Sequence, residues 1–305
     1  MSVPAQSISP EGPKLSRLIC GVMRWGLWGH QLNTDQMLSR IETCLELGIT
    51  TFDHADIYGG YTTEEAFGQA LKKKPALREH MQLITKCGIK MPAEARPDYH
   101  IKSYDTSSAH IIASAEQSLK NLCTDHLDLL LIHRPSPLMD PKAIAEAFTQ
   151  LKKSGKVLHF GVSNFIPSQF EMLNDHFPLV NNQVEASILH LEPFIDGTFD
   201  QSIRYQSLPM VWSPLGGGQF FDDQPGKQIQ RILRIAEKQI ERREGRFRID
   251  QWLLAWLLHH PAKLMPVLGT GDPDRLRAAA GAFDITLNDE EWFELWQAST
   301  GKEVP

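Results

Sequence analysis

Short apolar runs alternate with longer amphipathic segments along almost the whole chain. The runs are rich in aliphatic and β-branched residues and lack polar alternation, which is typical of strands covered on both faces. We therefore predict eight strands, at residues 17–22, 49–52, 81–85, 127–132, 157–162, 179–184, 208–212 and 264–268. Helical periodicity and capping residues predict helices at 34–47, 62–73, 107–122, 141–154, 167–175, 227–243, 249–259, 274–282 and 289–298.

This alternation predicts the α/β class, as a single (β/α)₈ TIM barrel with a parallel eight-stranded sheet and extra helices. An open doubly wound sheet is disfavoured, because no Gly-x-Gly-x-x-Gly turn follows the first strand. No linker or change in composition divides residues 16–305, so we expect one barrel domain there. Residues 1–15 contain three prolines and few apolar side chains, which predicts a flexible N-terminal arm and not a signal peptide.

The composition narrows the class of protein. The 305-residue chain has a net charge of −6 and an isoelectric point near 6.1, which argue against a nucleic-acid or anionic-membrane surface. No apolar run in the sequence has the length of a membrane-spanning segment. The four cysteines lie far apart, which fits reduced thiols better than disulfides or a metal site. We expect a soluble cytoplasmic protein that binds a small molecule and no metal.

Polar and aromatic residues recur where the predicted strands end. The carboxyl ends of barrel strands meet at one face, so we expect these residues to line a common active site. Each one alone has an ordinary structural explanation, such as a helix cap or a hydrogen-bonded histidine, and it is their shared position that favours a site. The residues are Asp53, Lys86, His133, Asn164, Gln183, Trp212 and Gly269.

Four residues near these strand ends could form a proton relay. An ammonium group favours a nearby phenolate, so Lys86 is expected to lower the pKa of Tyr58. Asp53 would keep the lysine charged, and His133 could donate a hydrogen bond to a carbonyl oxygen. Such a set suits protonation of the alkoxide that forms when a carbonyl is reduced. It contains no hydride source, which indicates a nicotinamide cofactor.

Six successive segments resemble motifs of the aldo-keto reductases, in the same order and on the corresponding strands. The resemblance runs from about residue 17 to the end of the chain. The segments are Asp-His-Ala-Asp-Ile-Tyr-Gly (53–59), Leu-Ile-Thr-Lys-Cys-Gly (83–88), Leu-Leu-Ile-His (130–133), Gly-Val-Ser-Asn-Phe (161–165), Asn-Gln-Val-Glu (182–185) and Trp-Ser-Pro-Leu-Gly (212–216).

The resemblance implies a (β/α)₈ barrel that binds NADP(H) without a Rossmann fold and reduces aldehydes or ketones, with a small-molecule carbonyl compound as substrate. By position, Asp53, Tyr58, Lys86 and His133 match the family's catalytic tetrad, with Tyr58 as general acid. The resemblance also implies a set of cofactor-binding residues. The nicotinamide carboxamide would be held by Ser163, Asn164 and Gln183, and the ring would stack on Trp212. The remaining predicted contacts are Met23, Asp53, Ser213, Pro214, Leu215, Gly216, Gly269, Thr270, Gly271 and Arg275.

The chain departs from the family pattern in several places. His54 stands where many members have Thr, and residues 269–271 lack the Lys of many 2′-phosphate sites. Ala278 and Ala279 replace a Glu-Asn pair that grips adenine. Arg275 matches the family arginine, and a guanidinium pairs well with phosphate, so NADP(H) is preferred over NAD(H). The short C-terminal tail leaves other residues to shape the substrate site, which we expect to be Met23, Arg24, Trp25, Trp28 and the loop 88–106.

Two other functions fit part of the same pattern. Lys86 could act as the Schiff-base amine of a barrel lyase, although an adjacent Asp53 would raise its pKa and oppose nucleophilic attack. The same fold could also be a cofactor-sensing regulatory subunit without turnover. A hydrolytic metal barrel is disfavoured, because no His-x-His pair ends a predicted strand.

Overall fold

The computed structural model describes residues 2–304, and its centre is a closed barrel of eight parallel strands. Strand order around the barrel follows the chain, and the last strand pairs with the first, Val267 beside Ile19. The fold prediction is therefore confirmed. The strands are β1 (Ile19–Gly21), β2 (Thr51–Asp53), β3 (Gln82–Cys87), β4 (Leu127–Ile132), β5 (Val157–Ser163), β6 (Asn182–Glu185), β7 (Met210–Trp212) and β8 (Met265–Leu268).

Helices follow the strands and cover the barrel. Side-chain caps fix several of their starts, as at Asn33, whose Oδ1 accepts from the amide of Gln36 at 2.9 Å. Two short helices were not predicted, Tyr58–Tyr61 and Thr198–Arg204. The helices are α1 (Thr34–Glu46), α2 (Tyr58–Tyr61), α3 (Thr63–Lys73), α4 (Ser108–Leu122), α5 (Pro141–Lys153), α6 (Pro167–Asn174), α7 (Thr198–Arg204), α8 (Lys227–Glu241), α9 (Ile249–Leu258), α10 (Pro273–Ala280) and α11 (Asp289–Thr300), with 3₁₀ turns at Pro75–His80, Glu192–Phe194, Gly216–Phe221 and Gly281–Asp284.

The N-terminal residues form a hairpin, so the prediction of a flexible arm at 1–15 is wrong for the described residues. Ala5–Ser7 pairs antiparallel with Lys14–Ser16. Ile8 and Leu15 are fully buried and belong to the same apolar cluster as the barrel-strand residue Met210. The backbone oxygen of Ile8 also accepts from the amide of Leu208 at 2.7 Å, just before β7. Burial of these two side chains closes the N-terminal end of the barrel and orders the segment.

The predicted loop 88–106 contains a second small hairpin, in which Ile89–Lys90 pairs with Ser103–Tyr104. It directly follows the carboxyl end of β3. Within residues 2–304, no helix combines the length and the apolar character needed to cross a membrane.

Candidate active site

A cavity of about 550 Å³ lies at the carboxyl ends of the strands and collects most of the predicted site residues. The four tetrad residues, Asp53, Tyr58, Lys86 and His133, line it together. The predicted cofactor residues that line it are Met23, Ser163, Asn164, Gln183, Trp212, Ser213, Pro214, Leu215, Gly269, Thr270 and Arg275. The joint position of the strand ends thus brings these side chains to one space.

Lys86 is the centre of the tetrad, and its ammonium group uses all three of its donors. Nζ donates to Asp53 Oδ2 at 2.7 Å, to the backbone oxygen of His54 at 2.8 Å and to the Tyr58 hydroxyl at 3.2 Å. The other carboxylate oxygen of Asp53 accepts from Gln183 Nε2 at 2.9 Å. Because Lys86 and Asp53 are both buried, these bonds hold the ammonium in one position against the phenol.

Burial and charge act in opposite directions on the tetrad. Burial alone lowers the pKa of Lys86, but the charge of Asp53 and the bonds to Asp53 and Tyr58 raise it, and the net pKa lies above the ordinary value. Burial raises the pKa of Tyr58, and the charge of Lys86 offsets only part of that rise. The charge of Lys86 thus lowers the pKa of Tyr58, as predicted. The net shift is nevertheless upward, so the predicted decrease in this pKa is wrong. Lys86 is charged and Tyr58 is protonated at neutral pH.

His133 is neutral in this environment. Burial, followed by the charges of Lys86, Arg134 and Lys102, moves the pKa of His133 well below its ordinary value. Its ring centre lies 6.2 Å from that of Tyr58, with the rings nearly perpendicular. A neutral imidazole beside the phenol can donate one hydrogen bond to a substrate oxygen, as the sequence suggested.

A tight turn places Tyr58 over the strand ends. Gly59 and Gly60 follow it with φ angles of 61° and 67°, a region that side-chain-bearing residues rarely adopt. A Cβ atom on Gly59 would also approach Thr63 Oγ1 to 2.5 Å. The Gly-Gly pair therefore permits the tight turn that connects Tyr58 to the start of α3.

The residues predicted to hold the nicotinamide amide form one hydrogen-bonded network. Ser163 Oγ donates to the backbone oxygen of Gln183 at 2.8 Å. Asn164 Nδ2 donates to Ser163 Oγ at 2.8 Å and to the backbone oxygen of His133 at 3.2 Å. Asn164 Oδ1 accepts from Trp212 Nε1 at 3.0 Å. These bonds fix the amide and the indole at the same end of the cavity.

Three predicted residues do not line the cavity. A Cβ atom on Gly216 would lie 2.6 Å from Leu189 Cδ1, so the glycine allows the backbone to pack closely against this leucine. Gly217 and Gly218 line the cavity in its place. Gly271 is buried against Trp25. Trp25 itself, expected to shape the substrate site, is fully buried between Phe52 and Phe67, with ring centres 6.3 and 6.2 Å away. Met23, Arg24 and Trp28 do line the cavity, as does Ala279.

The sequence patterns did not single out several of the lining residues. Among these are Arg134 and Lys102, whose charges help to lower the pKa of His133. Arg134 directly follows His133 at the end of β4, and that position was the available signal. Lys102 comes from the hairpin in the loop 88–106. The other missed lining residues with polar or aromatic side chains are His30, Phe221, Arg248 and Asp250.

His54 has a structural position. It is fully buried, its ring centre lies 4.5 Å from that of Phe67, and both ring nitrogens lack a hydrogen-bond partner within residues 2–304. Burial, aided by the charge of Lys86, lowers the pKa of His54 to about 3. It is therefore a neutral core residue whose backbone oxygen, and not its ring, contacts the tetrad lysine.

The described residues form a (β/α)₈ barrel with a polar cavity at the carboxyl ends of its strands, where barrel enzymes have their active sites. The sequence model of the Aldo/keto reductase family matches residues 17–299, and the chain belongs to that family.

Proteins that are similar to this chain support this assignment. The chain is 46% identical to the uncharacterized oxidoreductase YcsN of Bacillus subtilis (strain 168), across 97% of this chain and 98% of that protein. It is 43% identical to a 6-dehydroglucose reductase of Agrobacterium fabrum, across 95% and 96% of the two chains. The fold is similar to a crystal structure of the thermostable aldo-keto reductase Tm1743 with the inhibitor epalrestat, with a TM-score of 0.79, 26% identity and coverage of 97% and 99%.

Proposed function

We propose that this protein reduces aldehydes or ketones to alcohols with NADPH as hydride donor and Tyr58 as general acid. The observation that carries the proposal is the Lys86 ammonium, which bonds to Asp53 at 2.7 Å and to the Tyr58 hydroxyl at 3.2 Å inside the cavity. In this arrangement Tyr58 can give up its hydroxyl proton, and the adjacent ammonium of Lys86 can stabilise the phenolate that remains.

The bound nicotinamide would supply a hydride to the carbonyl carbon. Tyr58 transfers its hydroxyl proton to the carbonyl oxygen, so an alcohol and a phenolate result. The Lys86 ammonium stabilises that phenolate, and Asp53 keeps the lysine charged. A ring N–H of neutral His133 donates to the carbonyl oxygen and orients it towards Tyr58.

The residues present fit a dinucleotide of this kind. Ser163, Asn164 and Gln183 would hold the carboxamide, and Trp212 would stack on the ring. The backbone is open at Gly217 and Gly218, where a Cβ atom would meet nothing within 4 Å, so the segment 213–218 can approach a pyrophosphate closely.

Arg275 would bind the 2′-phosphate that distinguishes NADP(H). It makes no ion pair with a carboxylate in residues 2–304, and its guanidinium lies 5.8 Å from the Phe221 ring on the cavity wall. The backbone N–H groups of Asp274 and Arg275 both donate to Oδ1 of Asp272, the N-cap residue of α10, at 2.9 and 3.0 Å. The guanidinium is therefore the main group left at this helix end to recognise a phosphate.

The contacts of Lys86 disfavour the Schiff-base alternative. A nucleophilic amine must be neutral, whereas Asp53 keeps this ammonium charged and its three donors are engaged. A regulatory subunit would bind the cofactor without turnover. The complete set of proton-relay residues favours catalysis instead.

Titration with NADPH and NADH, followed by a carbonyl panel that includes an aldehyde derived from glucose, tests the proposal. We expect tighter binding of NADPH and its oxidation with at least one substrate class. Tyr58→Phe should keep cofactor affinity and lose most of kcat, by about 10²- to 10⁴-fold, since it removes a general acid. Near wild-type turnover in Tyr58→Phe would make the acid assignment wrong, and NADPH binding without any turnover would favour a regulatory subunit.

A further inference from the structure

The cavity contains more positive than negative charge. Its acidic lining residues, Asp53 and Asp250, are each already paired, the first with Lys86 and the second with Arg248 at 2.9 Å. Four further cations line the same space and have no carboxylate partner among residues 2–304. They are Arg24, Lys102, Arg134 and Arg275.

Two of these cations, Arg134 and Lys102, influence the tetrad directly. Arg134 follows His133 directly, is half-buried, and holds its guanidinium 5.7 Å from the Trp212 ring. The charges of Arg134 and Lys102 both contribute to the low pKa of His133, and Arg134 also opposes the rise in the pKa of Tyr58. Both cations therefore line the same cavity as Tyr58 and His133, where a carbonyl substrate would bind. Arg275 lies beside Phe221 and is the residue proposed above to bind the 2′-phosphate.

We infer that Arg134 and Lys102 bind a carboxylate on the substrate, so that this site takes carbonyl compounds carrying a carboxylate a few atoms from the carbonyl carbon. The inference rests on the proposed function and names its substrate class. A half-buried guanidinium without a counter-charge is costly, and an anion that enters the cavity compensates it. The planar fork of arginine matches both oxygens of a carboxylate, and the Trp212 face orients that fork. Exposed Lys102 adds attraction at longer range.

A matched pair of aldehydes tests this subsite. Succinate semialdehyde carries a carboxylate, whereas butanal has the same number of carbons and no charge. We expect wild-type kcat/KM to favour the semialdehyde, and Arg134→Gln to lower the ratio of the two values by about 10- to 100-fold, the range for a bond to a charged group. Arg134→Lys should retain part of the preference. Lys102→Gln should lower the ratio less, and that difference should shrink at high salt.

Lys153→Gln serves as the control and should leave the ratio unchanged, because Lys153 is exposed on α5 and does not line the cavity. The inference is wrong if wild type shows no preference for the semialdehyde, or if Arg134→Gln lowers both values equally. It is also wrong if Arg134→Gln selectively lowers activity on glyceraldehyde, since the arginine would then recognise hydroxyl groups.

Calorimetric titration with 4-hydroxybutanoate separates this inference from the proposed function. If wild type reduces no aldehyde, the proposed function fails, and the titration still decides the subsite. Binding that weakens at least tenfold in Arg134→Gln and not in Lys153→Gln would support the carboxylate site. Equal binding by wild type and Arg134→Gln, or no binding by wild type, would overturn it.

Discussion

Gln183 Nε2 donates to Asp53 Oδ1 at 2.9 Å, across the barrel from β6 to β2. Both side chains are buried. This bond joins the network predicted to hold the nicotinamide amide to the carboxylate that fixes Lys86. The predicted cofactor site and the proposed proton relay are therefore parts of one hydrogen-bonded structure.

Gln183→Leu should destabilise the protein by about 1–3 kcal/mol, because it leaves a buried carboxylate oxygen without its donor. Urea unfolding followed by circular dichroism measures this change. The matched control is Gln117→Leu, which removes an exposed bond to Asn121 on α4 and should have little effect. A loss no larger than that of the control would show that water replaces the amide at Asp53.

The pH profile of reduction should be flat between about pH 6 and 9 at saturating cofactor. The pKa of Tyr58 lies above its ordinary value of 10, so the acid stays protonated across this window and is lost only at higher pH. The pKa of His133 lies well below 6.5, so the imidazole stays neutral. Stopped-flow single turnovers at each pH isolate the chemical step. An inflection near pH 6.5 that disappears in His133→Gln would contradict the neutral histidine.

The parts of this site that were predictable from the sequence are those determined by strand periodicity. Asp53, Lys86 and His133 end apolar runs, and parallel strands of one barrel bring such ends together. The positions that were predicted incorrectly depend on tertiary packing, which the hydrophobic pattern of the sequence does not specify. Gly271 faces Trp25 and not the cavity, because a glycine signal does not distinguish close packing from backbone exposure.

The remaining differences have similar physical causes. The net pKa of Tyr58 depends on burial, which the spacing of Tyr58 and Lys86 does not specify. The hairpin at residues 5–16 has only a few apolar side chains, and its order comes from contacts with distant strands.

Stability should fall more steeply with acid in wild type than in His54→Thr. Burial lowers the pKa of His54 to about 3, whereas an unfolded histidine has an ordinary value of 6.5. Between these values the unfolded state binds one more proton than the folded state, so stability present above pH 6.5 is lost as the pH falls. The full slope from this one group is about 1.4 kcal/mol per pH unit.

Urea unfolding at several pH values between 4 and 7 would measure the two slopes. Loss of packing against Phe67 lowers the unfolding free energy of the variant by the same amount at every pH. Only the difference in slope between the two proteins therefore measures the protonation of His54. His80→Thr, at an exposed position, should keep the wild-type slope. Parallel curves for wild type and His54→Thr would show that His54 takes up its proton in the folded protein.

Leu15→Ala should destabilise the protein by about 2–5 kcal/mol, the usual cost of truncating a fully buried leucine. Leu15 lies in the N-terminal hairpin and shares an apolar cluster with Met210 of β7 and Met265 of β8. The cavity left by the truncation would therefore open at the N-terminal end of the barrel. Lys14→Ala, at the exposed neighbouring position, should change the stability by less than about 0.5 kcal/mol. Equal effects of the two substitutions would mean that the hairpin contributes little to the barrel, as a flexible arm would.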